Sequence, residues 1–295
     1  MANLRDVRLR MRAIRQTLQV TKAMNLISTA KLRKGRRLLE DTEPYFNRIQ
    51  KSMCDILSGV SNVRSDFFRL PNAEGKVRTA IVVVTSDKGL AGGYNANIFR
   101  RVNELCAKVS NPLLILIGSI GYRYFIHSPY VILENFSFRS AMPTVENAKE
   151  IADYIISQFS WGMFDSVHIV YTHMYSTIKL LPTERQILPL DTEQIQAELA
   201  EKEGHERAEL HFEFLPSEEK VFDALVPLYI KGVIYGSLVE AYVSEQSARM
   251  AAMDEASKSA EDMLASLQIN YNRVRQASIT QEMSEIVGGS AALSS

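Results

Sequence analysis

One stretch near the end of the chain constrains the fold most, because it is too long and uninterrupted for an ordinary core helix. Residues 217–287 contain no proline after Pro227 and no glycine after Gly236. At 1.5 Å per residue, one helix over this stretch would be roughly 100 Å long. We therefore predict a helix that protrudes from any compact domain. The alternative is a helix wrapped around an ordinary core.

Apolar residues recur along this helix in alternating steps of four and three, which keeps one stripe against a partner helix. The predicted seam comprises Val221, Leu225, Leu228, Gly232, Tyr235, Val239, Tyr242, Gln246, Arg249, Met253, Ala256, Ala260, Met263, Leu267, Asn270, Val274, Ala277, Gln281 and Ser284. A repeat sustained over this many heptads is typical of a coiled-coil strand.

A second long helix is predicted at the other end of the chain, over residues 3–57. Its seam follows the same steps and comprises Leu4, Val7, Met11, Ile14, Leu18, Thr21, Asn25, Ser28 and Leu32. Two such helices can bury each other's seams as an antiparallel pair. Polar seam residues such as Thr21, Asn25 and Arg249 weaken a pure coiled coil but can fix its register.

Composition narrows the class of protein. The chain has 295 residues, of which 46% are hydrophobic, so a packed core is expected rather than disorder. The first 37 residues carry eleven Lys and Arg against Asp6 alone, and residues 191–219 carry ten Asp and Glu against two basic residues. Such asymmetry usually concerns partners. Cys54 and Cys106 fit no metal-ligand spacing, which predicts reduced thiols.

The termini give no sign of a membrane anchor. No apolar run approaches the roughly 20 residues that span a bilayer, and no signal-peptide core follows Met1. We expect no direct insertion into a membrane. The Arg-rich amphipathic start leaves a cleaved organelle-targeting peptide as an alternative, although the helical pattern continues past any plausible cleavage point.

Between the long helices, short apolar runs alternate with helical segments, which predicts a mostly parallel sheet with helices on both faces. The predicted strands are residues 79–85, 113–118, 130–136, 166–172, 179–190 and 210–215. The predicted helices are residues 96–109 and 144–159, the second with Thr144 as its N-cap and Asn147 three residues on. The acidic run 191–209 has weak helical or loop character.

The loop 86–95 follows a buried strand and opens a helix, where phosphate-binding loops lie. It lacks the Gly-Lys-Ser/Thr ending of a Walker loop and the GxGxxG spacing of a dinucleotide site, so a tight turn explains its glycines better. The five histidines form no metal or catalytic motif. A nucleic-acid site on the basic N-terminal helix is a further alternative.

The residues at both ends resemble the gamma, or central stalk, subunit of bacterial F-type ATP synthases, and the resemblance covers essentially the whole chain. Its motifs are matched by residues 21–24 and 30–32, by residues 86–90 with Gly92 and Asn95, by Glu245 with residues 248–250, and by residues 271–273, 275–282 and 285–289.

The resemblance implies an α/β fold in which a long antiparallel coiled coil of the N- and C-terminal helices carries a Rossmann-like α/β middle domain. The expected segments are residues 1–58 as the N-terminal shaft helix, 76–215 as the middle domain and 216–288 as the C-terminal shaft helix. The middle domain of that family binds no nucleotide, so no cofactor is expected. Cys54 and Cys106 do not match the redox-sensitive pair of chloroplast members.

The function implied by the resemblance is that of a central rotor shaft. It turns within a catalytic ring and couples transmembrane flow of H⁺ or Na⁺ to ATP synthesis or hydrolysis. The implied partners are the alpha and beta subunits of the ring, the epsilon subunit and the membrane c-ring, with no nucleic acid. The chain itself would be a non-catalytic subunit, peripheral on the cytoplasmic side of the cell membrane. The alternative is a Rossmann-type nucleotide-binding enzyme with coiled-coil arms.

Two sets of contact residues follow from the resemblance, while no catalytic, cofactor-binding or metal-binding residue is expected. The expected catalytic-ring contacts are Lys22, Met24, Arg249, Gln276, Thr280, Glu282 and Glu285. The expected contacts with the rotor ring and its small companion subunit are Arg33, Lys34, Arg36, Arg37, Glu213, Phe214 and Leu215.

Overall fold

The structure of the chain is a computed structural model that describes residues 4–59, 65–68, 77–138, 142–176, 179–193, 195, 215 and 217–293. The chain divides into two compact units. The two-helix unit comprises Met1–Thr29 and Arg249–Ser295. The sheet unit comprises Ala30–Ala248. Both long helices contribute residues to both units.

The element order confirms the α/β fold with a long helix at each end. The helices are α1 Leu4–Gly59, α2 Tyr94–Cys106, α3 Ser119–Phe125, α4 Val145–Ser160 and α5 Glu218–Leu293. The strands are β1 Arg78–Val84, β2 Asn111–Ile117, β3 Val131–Phe136, β4 Ser166–Met174 and β5 Leu180–Leu188. A short 3₁₀ turn, Asp66–Phe68, precedes β1.

The five strands form one sheet in the order β3-β2-β1-β4-β5. All neighbouring strands run parallel except β4 and β5, which are antiparallel. The central strand β1 is buried on both faces: Ile81 and Val83 lie in a core cluster with α2, and Ala80 and Val82 on the opposite face are also fully buried. Such burial on both faces explains the continuous apolar runs in the sequence.

Two local features of the sheet unit show how sequence sets the element bounds. Helix α4 begins with the predicted capping box, in which Thr144 and Asn147 exchange side-chain to backbone bonds. Helix α3 was not predicted from the sequence. It follows directly on β2 through Gly118, whose φ of 96° is a conformation that favours glycine.

Two sequence predictions fall largely outside the described residues. The predicted strand 210–215 is described only at Leu215. Of the acidic segment 191–209, the structure describes residues 191–193 and 195. Both therefore stay predictions.

One helix, Glu218–Val287, is long and apolar enough to cross a membrane, judged by length and composition alone. This corrects the expectation that no apolar run is long enough. A helix that contributes to a protein core passes the same test, and 56% of the most apolar 18-residue window is buried inside this protein. Phe222, Val226, Ile230 and Ile234 are among the fully buried side chains that make the helix so apolar.

Candidate functional site

The two-helix unit is an antiparallel pair held together along the predicted N-terminal seam. Every seam residue of α1 in this unit, from Leu4 to Ser28, is buried or half-buried. Side-chain bonds connect Arg8 to Tyr271 (2.9 Å), Thr21 to Ser257 (2.8 Å) and Asn25 to the carbonyl of Met250 (3.1 Å). Residue numbers rise on α1 as they fall on α5, so the pairing is antiparallel.

The predicted seam of α5 agrees with the structure of the two-helix unit only in part. Met253, Ala260, Leu267 and Val274 are buried or half-buried, as predicted. At the alternate positions the inward residue is one place later than predicted, at Leu264, Tyr271 and Ser278; Ala256 is half-buried as predicted, but its neighbour Ser257 is more deeply buried. Met263, for example, is 56% exposed. From Met253 onward, the inward positions follow steps of four and then three residues, whereas we predicted three and then four.

The two-helix unit exposes several large hydrophobic residues on its outward face. Its exposed large hydrophobic residues are Leu9, Val20, Leu26, Ile27, Met263, Ile269, Ile279, Met283, Ile286 and Val287. Leu26, Ile269 and Ile286 are each more than 70% exposed. Exposed apolar residues that lie together in one patch are typical of a surface that contacts another protein.

Residues 279–287 of α5 are exposed on every side of the helix. The half-buried pattern ends at Ser278, and every residue from Ile279 to Val287 is exposed. Ile279, Met283 and Ile286 recur at steps of four and three, so they share one face of the helix. We call these three residues the apolar stripe. Nothing in the described part of the chain covers the stripe.

The expected ring contacts differ in their exposure. Lys22 is exposed and forms an ion pair with Glu261 (2.6 Å), while Met24 is half-buried. The bond from Asn25 to Met250 brings this part of α1 next to Arg249 on α5. Arg249 itself is only 7% exposed.

The remaining expected ring contacts lie further along α5. Gln276, Thr280, Glu282 and Glu285 are all exposed. Their local bonds stay within the helix: the Thr280 hydroxyl donates to the carbonyl of Gln276 (2.9 Å), and the Gln281 amide donates to Glu285 (3.0 Å). These side chains are therefore open to a partner.

The expected rotor-ring contacts belong to the sheet unit. Arg33, Lys34, Arg36 and Arg37 on α1 are exposed, and the Arg36 guanidinium approaches the Met174 sulfur (3.5 Å). Leu215 is 86% exposed. Glu213 and Phe214 lie outside the described residues.

The loop 86–95 bonds to its own surroundings. The Ser86 amide donates to the Asn95 side chain (3.1 Å), whose amide donates back to the Ser86 hydroxyl (2.7 Å). The Asp87 carboxylate accepts from the backbone of Ser119 (2.9 Å) at the start of α3. These bonds fit the interpretation of the loop as a tight structural turn.

Helix α5 covers the carboxyl ends of the strands, which is where α/β sheets of this kind bind ligands. The Tyr94 hydroxyl donates to the carbonyl of Ala241 (3.1 Å), and Ser244 donates to the carbonyl of Thr172 (2.9 Å) at the end of β4. The space left between α5 and the strand ends is a cavity of only about 80 Å³, which is lined by Leu238, Ala241 and Tyr242 of α5. A nucleotide does not fit in that space.

One polar cluster was missed by sequence reasoning, because its members are far apart along the chain. His173 near the end of β4 shares a short bond with Glu240 of α5 (2.5 Å). This hydrogen bond raises the pKa of His173 above its ordinary value, against the opposing effect of burial. Burial, with the nearby Glu240 carboxylate, also raises the pKa of Tyr171.

A raised histidine pKa predicts a pH-dependent stability. The His173–Glu240 pair should stabilise the fold fully below the ordinary pKa of histidine and less as pH rises through the raised value. We expect urea unfolding to give a difference between the natural chain and His173→Gln that is larger near pH 6 than near about pH 9. Glu240→Gln should lose the same pH dependence. A pH-independent difference for both variants would contradict this role.

Comparison with known proteins gives consistent matches over the full length. A family model described as ATP synthase matches residues 3–293. The chain is 40% identical over 294 residues to the ATP synthase gamma chain of Acetivibrio thermocellus, covering 99% of this chain and 100% of the relative. It is 36% identical over 301 residues to the sodium ion specific gamma chain of Acetobacterium woodii, covering 99% of each.

Solved structures share the fold. The chain matches a component of the Euglena gracilis mitochondrial ATP synthase (OSCP/F1/c-ring, rotational state 3) with a TM-score of 0.64 and 16% identity, covering 98% of this chain and 94% of that one. It matches a component of the central stalk/c-ring structure of the Tetrahymena thermophila mitochondrial ATP synthase with a TM-score of 0.61 and 24% identity, covering 81% and 99%.

Proposed function

Because the chain belongs to the ATP synthase gamma chain family, we propose that it is the central rotor shaft of an ion-coupled ATP synthase. The shaft turns within the catalytic ring formed by the alpha and beta subunits and transmits rotation from the membrane c-ring. The observation that carries this proposal is the apolar outward face of the two-helix unit, which ends in the stripe of Ile279, Met283 and Ile286.

An apolar outer face suits a shaft that must turn inside the catalytic ring. Dispersion contacts between apolar side chains are non-directional and individually weak, so they can be exchanged as the shaft turns without a large barrier at any one angle. Directional bonds can then favour particular angles. We propose that Gln276, Thr280, Glu282 and Glu285, which are exposed, make such bonds with the ring together with Lys22.

Arg249 and Met24 are less exposed than the other expected ring contacts. An arginine residue that is only 7% exposed is already part of the packing of its own chain. Removal of the Arg249 side chain should therefore lower the stability of the isolated chain as well as affect the contact with the ring. Met24 is half-buried, and its neighbour Asn25 bonds to the residue that follows Arg249.

At the rotor-ring end, we propose that the exposed basic residues Arg33, Lys34, Arg36 and Arg37 act with Glu213, Phe214 and Leu215. Charge complementarity would steer and orient this contact with the c-ring and the epsilon subunit, while most of the affinity comes from apolar burial. The apolar part would come from Leu215, which is 86% exposed, and Phe214.

ATP chemistry is assigned in this proposal to the partner subunits, which makes the chain a non-catalytic subunit. The covered strand ends and the self-bonded loop 86–95 support that assignment over a nucleotide-binding enzyme. The complex would place this subunit at the cytoplasmic face of a bacterial cell membrane. Both H⁺ and Na⁺ are compatible with this role, since one similar gamma chain is sodium ion specific.

The test replaces the apolar stripe. We expect the triple variant Ile279→Ser, Met283→Ser and Ile286→Ser to keep the melting temperature of the isolated chain, because these side chains are exposed. In the complex reconstituted with the ring, ATP turnover should fall by about tenfold or more, the equivalent of about 1.4 kcal/mol.

The matched control places leucine at the same three positions, which keeps the surface apolar, and it should retain most of the turnover. Normal turnover by the serine variant would show that the ring does not rest on the stripe. Loss of thermal stability in the isolated serine variant would show instead that the stripe packs within the chain.

A further inference from the structure

The sheet unit contains an open cleft of about 290 Å³, and none of its lining residues is among the expected ring contacts. It lies between α1, the β4–β5 edge of the sheet and α5. We infer that this cleft is a binding site for a small, uncharged aromatic molecule that carries a hydrogen-bond donor and acceptor side by side, as an aromatic carboxamide does. The volume is close to the lower limit of small-molecule pockets.

Polar groups from four separate elements converge on the cleft. Gln50 comes from α1, Tyr171 and His173 from β4, Arg185 from β5 and Glu240 from α5. Tyr171 is 6% exposed and interacts with Glu240, which also bonds to His173. Fixed polar groups in a mainly apolar wall are what orients a ligand in a small-molecule site.

The charges around the cleft decide the class of ligand. Glu43 and Glu240 contribute two carboxylates, and Arg185 contributes a guanidinium. His173 supplies a second positive charge when protonated, which its bond to Glu240 favours. The formal charges then cancel, so a charged ligand would pay its desolvation cost without a net electrostatic gain. A neutral molecule that offers an N–H to Glu240 and a carbonyl to Arg185 meets both kinds of group.

Aromatic side chains give the cleft its flat walls. Phe46, Tyr229 and Tyr235 all line it, and the rings of Phe46 and Tyr235 lie 5.9 Å apart with a tilt of 42°. Arg185 donates to the hydroxyl of Tyr229 (3.2 Å), which holds one wall in place. An aromatic ring of a ligand can stack against such faces and gain more than from area burial alone.

Two glycines of α5 on the same face of the helix form part of the cleft, and only one is explained by packing. A Cβ at Gly232 would lie 2.2 Å from the ring of Phe46, so close packing requires glycine there. A Cβ at Gly236 would meet no atom within 4 Å. Glycine inside a helix is unfavourable compared with alanine. Gly236 therefore keeps space open where packing does not demand it.

The experiment uses three molecules of the same shape and different charge: benzamide, benzoate and benzamidine. Each is titrated into the ¹⁵N-labelled full chain near neutral pH and followed by NMR. We expect saturable binding of benzamide, with a dissociation constant on the order of 1 mM, as suits a ligand of this size. Benzoate and benzamidine should bind at least about fivefold more weakly, and the Gln50 side-chain amide should shift with benzamide.

Two substitutions at one position provide the control. Gly236→Met fills the cleft and should weaken benzamide binding by about tenfold or more, whereas Gly236→Ala leaves room and should keep it. Circular dichroism confirms that both variants are folded. Absence of saturable benzamide binding to the natural chain, tighter binding of either charged analogue, or binding unchanged in Gly236→Met would each overturn the inference. None of these outcomes bears on the proposed rotor function, because none of the residues that line the cleft is among the expected contacts with the catalytic ring or the rotor ring.

Discussion

Gly118→Ala is expected to lower the free energy of unfolding of the sheet unit by about 3 kcal/mol or more. Gly118 has a φ of 96° and a ψ of 140°, a backbone conformation that L residues rarely adopt. A Cβ there would also lie 2.3 Å from the carbonyl oxygen of Thr85, which belongs to the backbone and cannot move aside cheaply. Strain and steric overlap therefore add at one position.

The reason for this close approach is the junction between β1, β2 and α3. Thr85 donates through both its amide (2.9 Å) and its hydroxyl (2.8 Å) to the carbonyl of Ile117, and its hydroxyl accepts from the amide of Gly121 (3.0 Å). Thr85 thus fills the gap left by two glycines. Gly121→Ala should also destabilise the unit, because its Cβ would lie 2.6 Å from the Thr85 hydroxyl oxygen.

The measurement is urea unfolding of the full chain at equilibrium, followed by the signal of the sheet unit. Gly93→Ala is the matched control, since Gly93 also precedes a helix but has a φ of −80° and its nearest atom beyond the local backbone is 3.6 Å away. We expect it to change the free energy of unfolding by less than about 1 kcal/mol. Equal midpoints for the two variants would contradict the account of the junction.

The sequence predicted the N-terminal seam correctly and the C-terminal seam only in part, for a physical reason. On α1 the inward positions of the two-helix unit follow one phase from Leu4 to Ser28. On α5 the count began at Val221, and from Gly232 to Tyr235 all residues are buried because the helix is packed on several sides. No single buried stripe exists there. The sequence therefore does not show in which order the four-residue and three-residue steps continue after Met253.

The predicted contact residues show the same limit. They were assigned from the resemblance of motifs. Gln276 and Thr280 lie on an exposed part of α5, and their contact with the ring stays a prediction. Spacing also placed Arg249 on the inward seam, and the residue is buried there. Spacing alone does not reveal which groups pack around its side chain. The cleft was not predictable either, since Gln50, Tyr171, Arg185 and Glu240 are brought together only by the tertiary fold.

A pair of aspartate substitutions two residues apart on α1 should separate stability from function in the two-helix unit. Met11 is 6% exposed on the seam, whereas Leu9 is 56% exposed on the outward face. Met11→Asp places a carboxylate in an apolar interface, so we expect it to destabilise the helix pair by about 3 kcal/mol or more. Hydrogen exchange of the α1 amides in the isolated chain should report this as lost protection.

Leu9→Asp should have the opposite profile. Because the side chain already faces solvent in the isolated chain, the stability should change by no more than about 0.5 kcal/mol. In the assembled complex the same carboxylate would face the catalytic ring at close range, where an unpaired charge must lose its hydration. ATP turnover by the complex should therefore fall by about tenfold or more, while hydrogen exchange in the free chain stays unchanged. If Leu9→Asp leaves ATP turnover normal, the outward apolar face does not contact the ring near Leu9. The contact with the ring must then be confined to the C-terminal end of α5.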